Sequence, residues 1–213
     1  GDFLFAQSFD LMVETKSLKA LSVLAQASCK ITQGEFLQMQ ISNKPNTKIS
    51  DYFNVIGGKT AQLFGASAQS GAIVANGSLR QVKASFDYGY NMGLAFQIID
   101  DVMDYSSSKT KMGKNQGDDF KLGKTTLPII LAWEKSNKLE REFFLKSLQE
   151  LKQEKGDFEK CCEILKKYSI LNQCKKIAND FVIKAINALN EFSENDYKKA
   201  LIELANNSLL RDN

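Results

Sequence analysis

The sequence predicts an all-α fold, with residues 1–213 forming a single helical domain. Apolar residues recur about every 3.6 positions along most of the chain, and no stretch alternates apolar and polar residues as a half-buried strand does. Prolines are scarce, since the chain contains only Pro45 and Pro128. Because a proline inside a helix costs about 3 kcal/mol, this scarcity favours long helices.

Turn residues divide the periodic pattern into its elements. Asn43–Thr47 predicts a tight turn. A polar, glycine-containing loop is predicted from Ser106 to Lys124, and a loop of that length is typical of a functional segment. Thr125 and Thr126, followed by an early proline, indicate the start of another helix. The predicted helices cover residues 2–14, 17–41, 50–76, 79–106, 125–136, 138–154, 157–168, 170–192 and 195–209.

Composition excludes several classes of function. The chain has no histidine, which removes the Ser-His and Cys-His mechanisms and the commonest metal ligand. Its 28 basic and 25 acidic residues are spread along the sequence without a basic arm, so a nucleic-acid partner is not expected. Any chemistry must therefore use carboxylates, lysine, arginine, hydroxyls or a metal ion bound through oxygen.

The cysteines and the apolar runs indicate a cytoplasmic protein. Cys29, Cys161, Cys162 and Cys174 form no C-x-x-C pair, so we expect reduced packing residues. No apolar run reaches the ~18 residues that a transmembrane helix needs, and no signal peptide is recognisable. A helical pattern starts directly after Gly1, without an initiating methionine, so we expect that residues upstream are missing.

An acidic face on the helix predicted at 79–106 is the main functional signal. Winding that helix at 100° per residue places Gln97, Asp100, Asp101 and Asp104 within about 100° of arc. Asp100 and Asp104 lie one turn apart, where like charges repel. The flanking residues are apolar, which favours a buried site over the alternative, a solvated acidic surface. Clustered carboxylates suit Mg²⁺, which prefers to complete its shell with water and substrate phosphates.

The same helix face continues away from the acids through Gly93, Tyr90 and Phe86. Small and aromatic residues behind a charged entrance would suit a substrate with an anionic head and an apolar tail. Ordinary helix packing explains the three residues equally well, so both interpretations stay open.

Basic residues that could complement a diphosphate lie on two other segments. Lys59 and Thr60 follow two glycines in mid-helix, where a lysine among small residues can point into a cavity, although a surface lysine is the common alternative. Lys114 and Lys124 lie among glycines in the loop that follows the acids. Glycines allow backbone and ammonium groups to approach an anion together. Asp118 and Asp119 of this loop are candidates for a metal's outer shell.

Taken together, these segments resemble the trans-prenyl diphosphate synthase family, and especially its octaprenyl-type members. The run from Gly93 to Asp104 is similar to the second aspartate-rich region of that family. The other matching segments are Gly1–Ala6, Gly34–Gln38, Lys59–Thr60, Gly113–Lys114, Gly117–Asp119, Gly123–Pro128, Ala200–Ala205 and Arg211–Asp212.

The resemblance implies an isoprenoid synthase-type bundle of mostly antiparallel helices around a central cavity. It implies an enzyme that ionises an allylic diphosphate, adds isopentenyl diphosphate and feeds quinone side-chain synthesis, with Mg²⁺ as cofactor and a homodimeric assembly. By the same resemblance, Asp100 is the most direct Mg²⁺ ligand, with Asp101 and Asp104 in or near the shell. Lys59, Lys114 and Lys124 bind the allylic diphosphate, and Thr60 and Gln97 lie beside the reacting carbons.

One departure from the family pattern is that the first aspartate-rich motif and the basic residues that bind isopentenyl diphosphate are absent from these 213 residues. We therefore expect this segment alone to be inactive. Two alternatives remain: a non-catalytic partner subunit of a heteromeric synthase, and a class I terpene cyclase. The latter usually has a different second acidic motif and lacks the lysine loop.

Overall fold

Helices make up all regular secondary structure in residues 2–106 and 116–209, the residues that the computed structural model describes. The all-α prediction is confirmed for this part of the chain. The α-helices are α1 Asp2–Glu14, α2 Leu18–Ile41, α3 Ile49–Ile56, α4 Gln62–Val74, α5 Leu79–Met103, α6 Asp118–Lys121, α7 Leu127–Lys135, α8 Lys138–Phe144, α9 Asp157–Lys167, α10 Ile170–Ala188 and α11 Asp196–Asn207. Two π-helical segments, Gly57–Ala61 and Leu145–Gln149, and a 3₁₀ turn, Leu189–Glu191, complete the list.

The predicted helices agree with the structure except in three respects. The helix predicted at 138–154 ends at Gln149, and its last five residues, Leu145–Gln149, are π-helical. The helix predicted at 50–76 is continuous but contains the π segment Gly57–Ala61, which periodicity did not indicate. The loop predicted between Ser106 and Lys124 contains a helical turn, α6, so that prediction was wrong for its second half. Four residues are too few to show a helical period, and α6 depends on a contact with the end of α5 that is distant in sequence.

The central helix of the bundle is α5. It packs against α4 and the π segment on one side and against α10 on the other, while α2 covers the far side of α4. Ser78 begins α5 with a capping box, because its hydroxyl accepts from the backbone N–H of Gln81 and the Gln81 side chain accepts from the N–H of Ser78. The apolar residues of α5 lie at the middle of one hydrophobic cluster that also contains α7, α9 and α10.

Glycines bring α4 and α5 unusually close together. A Cβ added to Gly89 would lie 2.3 Å from the backbone oxygen of Phe64, and one added to Gly93 would lie 2.6 Å from the Cα of Ala61. Phe86 packs against Gly65 in the same interface, and the Tyr90 hydroxyl lies against Gly57. The face formed by Phe86, Tyr90 and Gly93 therefore packs against the α3–α4 helix, which supports the packing interpretation.

Cysteine burial agrees with the expectation in part. Cys161 and Cys174 are fully buried in the core and Cys162 is partly buried, but Cys29 is exposed and does not pack. All four are free thiols. In the described ranges, no helix combines the length and the apolar character that crossing a membrane requires.

Substituting Gly89 by alanine is expected to lower the free energy of unfolding by about 1–3 kcal/mol or more, because the new methyl group would collide with backbone atoms that cannot move aside. Gly71→Ala is the matched control. Gly71 lies on exposed α4 surface with no atom within 4 Å of its added Cβ, so alanine should stabilise the helix by about 0.5–1 kcal/mol. Urea unfolding midpoints measure both changes, and equal midpoints for the two variants would contradict the close packing.

Candidate functional site

Several of the predicted site residues lie where the C-terminal end of α5 meets the π segment and the α6 turn, namely Thr60, Gln97, Asp100, Asp101, Asp104 and Lys124. Asp100 and Asp101 lie in the last turn of α5, and Asp104 is its C-cap. The C-terminal end of a helix carries a partial negative charge, so carboxylates there raise the local negative potential. Such a position attracts cations.

Asp101 is the most buried acid of this group, with only 4% of its surface exposed. Its Oδ2 accepts a hydrogen bond of 2.6 Å from the Tyr52 hydroxyl, and its Oδ1 accepts one of 2.9 Å from Gln97 Nε2. The Gln97 Oε1 in turn accepts from the Thr60 hydroxyl at 2.9 Å. A chain of three hydrogen bonds thus connects α3, the π segment and α5.

Burial raises the pKa of Asp101 to about 7, even though the hydrogen bonds from Tyr52 and Gln97 pull it down. The charges of Asp119 and Asp100 add to the increase. Burial and the Asp101 charge also raise the pKa of Tyr52 well above its usual value, so the phenol stays protonated and can donate.

Asp104 holds the α6 turn against the end of α5. Its two carboxylate oxygens accept from the backbone N–H groups of Asp118 at 3.2 Å and Asp119 at 3.1 Å. Burial, followed by the charge of Asp119, raises the pKa of Asp104 to about 6, and the two N–H groups only partly offset this. The carboxylate therefore lies in an environment with excess negative charge.

Lys124 supplies positive charge to this cluster. Its ammonium donates to Asp119 at 2.5 Å. Partial burial lowers the pKa of Lys124, but the bond to Asp119 and the charges of Asp101 and Asp104 outweigh burial and raise it, so this lysine stays charged. Two of the contributing acids are thus predicted site residues.

The backbone on the N-terminal side of Lys124 is held by the turn after α2. Gly123 has a φ of +64°, and a Cβ there would lie 2.1 Å from the Asn43 side-chain nitrogen. The Gly123 carbonyl accepts from the Asn43 backbone N–H at 3.0 Å. Glycine is required here both for its conformation and for space.

Lys59 points towards α2. Its ammonium lies 3.1 Å from the Glu35 carboxylate and donates to Gln38 Oε1 at 2.6 Å. The backbones approach closely at this point, since a Cβ on Gly34 would lie 2.5 Å from the Lys59 backbone nitrogen. Lys59 also lies in the π segment, a distortion that is frequent at functional sites.

The structure therefore gathers most of the predicted residues and adds several that sequence reasoning missed. Asp100 is partly exposed, and Lys114 lies outside the described residues. Asp101 differs from its acidic neighbours, because both of its oxygens are engaged by protein side chains. Tyr52 carried no sequence signal. Glu35 and Gln38 belonged to a matching segment, but nothing in the sequence connected them to Lys59.

The donor set fits a magnesium ion that shares its shell with a phosphate ligand. Within the described residues, no group of three or more acidic, cysteine or histidine side chains is arranged to hold a metal ion by itself. Mg²⁺ needs no such group, because it usually takes one or two carboxylates, water and substrate phosphates. Asp100 and Asp104, one helical turn apart, supply two carboxylates. Burial and the charge of Asp119 raise the pKa of Asp104, and a divalent cation bound to this carboxylate would offset both effects.

Comparison with known proteins identifies relatives along the whole chain. The family model described as Polyprenyl synthetase matches residues 1–165. Octaprenyl diphosphate synthase of Haemophilus influenzae is 37% identical over 205 residues, which cover 96% of this chain and 62% of that protein. The Escherichia coli octaprenyl diphosphate synthase is 35% identical over 212 residues, covering 100% and 65% respectively.

Solved structures show the same similarity. A polyprenyl synthase from Caulobacter crescentus, complexed with calcium and isoprenyl diphosphate, superposes with a TM-score of 0.95 at 42% identity. A decaprenyl diphosphate synthase from Rhodobacter capsulatus superposes with a TM-score of 0.92 at 36% identity. Each match covers 100% of this chain and 65% of the other. The chain thus spans slightly less than two thirds of the relatives' length.

Asp101 makes the stability of the metal-free protein depend on pH. Its pKa is about 7 when folded and near 3.8 when unfolded, so its contribution to stability is largest below pH 4 and is lost as the pH rises through 7. Asp101→Asn removes this dependence. The variant's free energy of unfolding, relative to the wild type, should therefore increase by roughly 2–3 kcal/mol between pH 5 and pH 8.

Urea unfolding in the presence of a chelator at both pH values measures this difference. Asp104 is present in both proteins, so its contribution to the pH dependence of the free energy of unfolding cancels in the comparison. Identical pH dependence for the wild type and the variant would show that Asp101 is not buried as the structure places it.

Proposed function

The chain belongs to the polyprenyl synthetase family, and from that premise we propose that it forms the second acidic region of a prenyltransferase that adds isopentenyl diphosphate units to an allylic diphosphate. The observation that carries the proposal is the convergence of acids, a charged lysine and the Thr60–Gln97 pair at the end of α5. Because the chain spans 62–65% of its relatives' length, the activity of the whole protein is part of the proposal.

The diphosphate group of the allylic substrate would bind between the acids and the lysines. Among the described residues here, the carboxylates of Asp100, Asp101, Asp104 and Asp119 outnumber the ammonium of Lys124, so we expect an anion to bind together with cations. Magnesium would be held by Asp100 and Asp104, and when bound it supplies Lewis-acid stabilisation of the leaving group. The Caulobacter relative, whose structure contains calcium and isoprenyl diphosphate, supports a divalent ion of this kind.

Lys59 and Lys124 would act as point charges on the diphosphate, and Lys114 is proposed to join them. Both described lysines are paired with acids, Lys59 with Glu35 and Lys124 with Asp119, which keeps each ammonium in place. Because the ammonium groups are already in place, little free energy is spent in reorienting them as negative charge develops on the departing diphosphate.

The reaction begins when the bond between C1 of the allylic chain and the diphosphate oxygen breaks and its electron pair leaves with the diphosphate. The double bond of isopentenyl diphosphate then forms the new carbon–carbon bond, and a proton is lost to the released diphosphate. Thr60 and Gln97 would lie beside the allylic cation and stabilise it through their oxygen atoms. No histidine base is required, which agrees with the composition.

The geometry disfavours the two alternatives. A non-catalytic subunit has no need of a lysine held among the acids, yet Lys124 is fixed there by Asp119 and by the Gly123 turn. A terpene cyclase would lack that lysine loop. Both observations favour the prenyltransferase.

Assembly, product and location complete the proposal. A homodimer is supported by exposed apolar side chains on the first two helices, such as Phe3 (75% exposed), Leu18 (82%) and Met39 (70%). An octaprenyl-type product that feeds quinone side chains is supported by the relatives' names. The free cysteines support a reducing, cytoplasmic location.

Asp100→Ala is expected to lower turnover by several orders of magnitude while leaving the fold intact, since it removes the carboxylate proposed as the most direct metal ligand. Asp87→Ala is the matched control, because Asp87 lies on the same helix but pairs with Lys83 on the surface. The measurement is incorporation of isopentenyl diphosphate into farnesyl diphosphate by the purified full-length protein, with product sizing. Near-normal turnover of Asp100→Ala would contradict the metal role.

A bisphosphonate and Mg²⁺ together are expected to raise the melting temperature more than the sum of their separate effects, because each completes the binding site of the other. Lys59→Gln should reduce the combined shift, whereas Lys83→Gln, on the outer surface of α5, should leave it unchanged. Thermal melts with and without each ligand test this. Equal shifts with and without magnesium would indicate simple anion binding.

A further inference from the structure

We propose that Tyr52 and Asp101 are positioning residues which fix the direction of the Thr60 hydroxyl, so that its oxygen lone pairs face the allylic cation. The inference rests on the proposed function and deepens it, because it assigns Asp101 to orientation of the cation site and not to the metal shell. It adds Tyr52 to the site from a different helix.

Two side chains donate hydrogen bonds to the carboxyl group of Asp101. The Tyr52 hydroxyl donates to Oδ2 at 2.6 Å, and Gln97 Nε2 donates to Oδ1 at 2.9 Å. Both oxygens of Asp101 thus accept a hydrogen bond, and each of the two side chains that face them presents a donor. Tyr52 is 2% exposed and Asp101 is 4% exposed, which leaves little access for competing water.

This arrangement fixes the orientation of the Gln97 amide. A glutamine amide is nearly symmetric in shape, so its orientation depends on the hydrogen bonds around it. Because Nε2 faces Asp101, Oε1 faces Thr60. The Thr60 hydroxyl lies 2.9 Å from Oε1 and can satisfy it only by donating.

The direction of the Thr60 hydroxyl follows in turn. Once its proton points at Gln97, its lone pairs point away from Gln97. Thr60 and Gln97 are both only half-buried, whereas Tyr52 and Asp101 are closed off from solvent. The partly exposed end of this hydrogen-bond chain, at Thr60, therefore presents oxygen lone pairs. Its buried end, at Asp101 and Tyr52, holds the groups that set the direction of the hydrogen bonds.

The arrangement suits a reaction in which positive charge develops on carbon. If the amide were reversed, Nε2 would donate to the Thr60 oxygen and the hydroxyl proton would turn towards the cation. The O–H dipole of Thr60 would then oppose ionisation of the C1–oxygen bond. Dipoles oriented before the reaction are effective because no reorganisation is needed as charge develops.

Asp101→Asn tests the proposal with little change in shape. The asparagine amide can donate to Gln97 Oε1 and so permits the reversed amide, whereas in the structure Asp101 accepts from Gln97 Nε2. Tyr52→Phe is the second variant, and it removes one of the two donors on Asp101. Tyr88→Phe is the matched control, because the Tyr88 hydroxyl donates at 2.8 Å to the Leu201 carbonyl, an acceptor on another helix.

The first measurement does not depend on turnover. Calorimetry with the full-length protein compares two ligands that bind together with Mg²⁺. The ammonium ligand is an alkyl diphosphate with a protonated tertiary amine at C3. The hydrocarbon ligand is the saturated alkyl diphosphate of the same shape, whose alkyl part carries no charge. Asp101→Asn should bind the ammonium ligand with a dissociation constant at least tenfold higher than that of the wild type. Its dissociation constant for the hydrocarbon ligand should stay within twofold of the wild-type value. Tyr52→Phe should show a smaller loss in the same direction, and Tyr88→Phe should show none.

The second measurement separates kcat from KM. Asp101→Asn should lower kcat by about 100-fold, a loss worth about 2.7 kcal/mol, while KM for the allylic diphosphate and the Mg²⁺ concentration for half-maximal rate change less than threefold. A tenfold rise in the Mg²⁺ requirement, with turnover restored at high Mg²⁺, would make Asp101 a metal ligand and overturn the proposal.

The remaining outcomes are also decisive. An unchanged preference for the ammonium ligand in Asp101→Asn would overturn the inference while leaving the proposed function standing. Failure of the wild type to bind either ligand with Mg²⁺ would instead overturn the proposed function, and the inference with it. If Asp101→Asn does not fold, the ligand preference of Tyr52→Phe against Tyr88→Phe decides the question.

Discussion

The concentration of negative charge at the C-terminal end of α5 is the constraint on which the rest of the site depends. Three aspartates lie within the last turn and the cap of one helix, and the α6 turn adds Asp119. The helix end itself contributes partial negative charge. Every nearby feature compensates for this charge: Lys124 pairs with Asp119, the backbone N–H groups of α6 bind Asp104, and two neutral side chains donate to Asp101.

Among the residues that the structure describes, this compensation is incomplete. Burial and neighbouring acids raise the pKa of Asp101 to about 7 and that of Asp104 to about 6. A protein that needed these carboxylates only for stability would place more cations beside them, because uncompensated buried charge is unfavourable. A site that receives a divalent ion with its substrate leaves part of the compensation to the ligand.

The acids also divide by environment. Asp100 is partly exposed, Asp104 accepts from the backbone of α6, and Asp101 is buried against Tyr52 and Gln97. Residues adjacent in sequence therefore have different roles, because successive positions on a helix point about 100° apart. The π segment and the small residues Gly57 and Gly93 allow the helix carrying Thr60 to lie close enough to α5 for the chain of hydrogen bonds to form.

The sequence by itself determined the helical class, most helix boundaries and the group of residues at the end of α5, since periodicity and the spacing of Gln97, Asp100 and Asp104 are local properties of a helix. It also indicated the lysines and Thr60 through resemblance. The tertiary structure decided which of these groups interact. The burial of Asp101, the contact of Lys59 with Glu35 and the part played by Tyr52 depend on how closely the helices pack, and that distance is set by contacts between residues far apart in the chain. No local pattern encodes it.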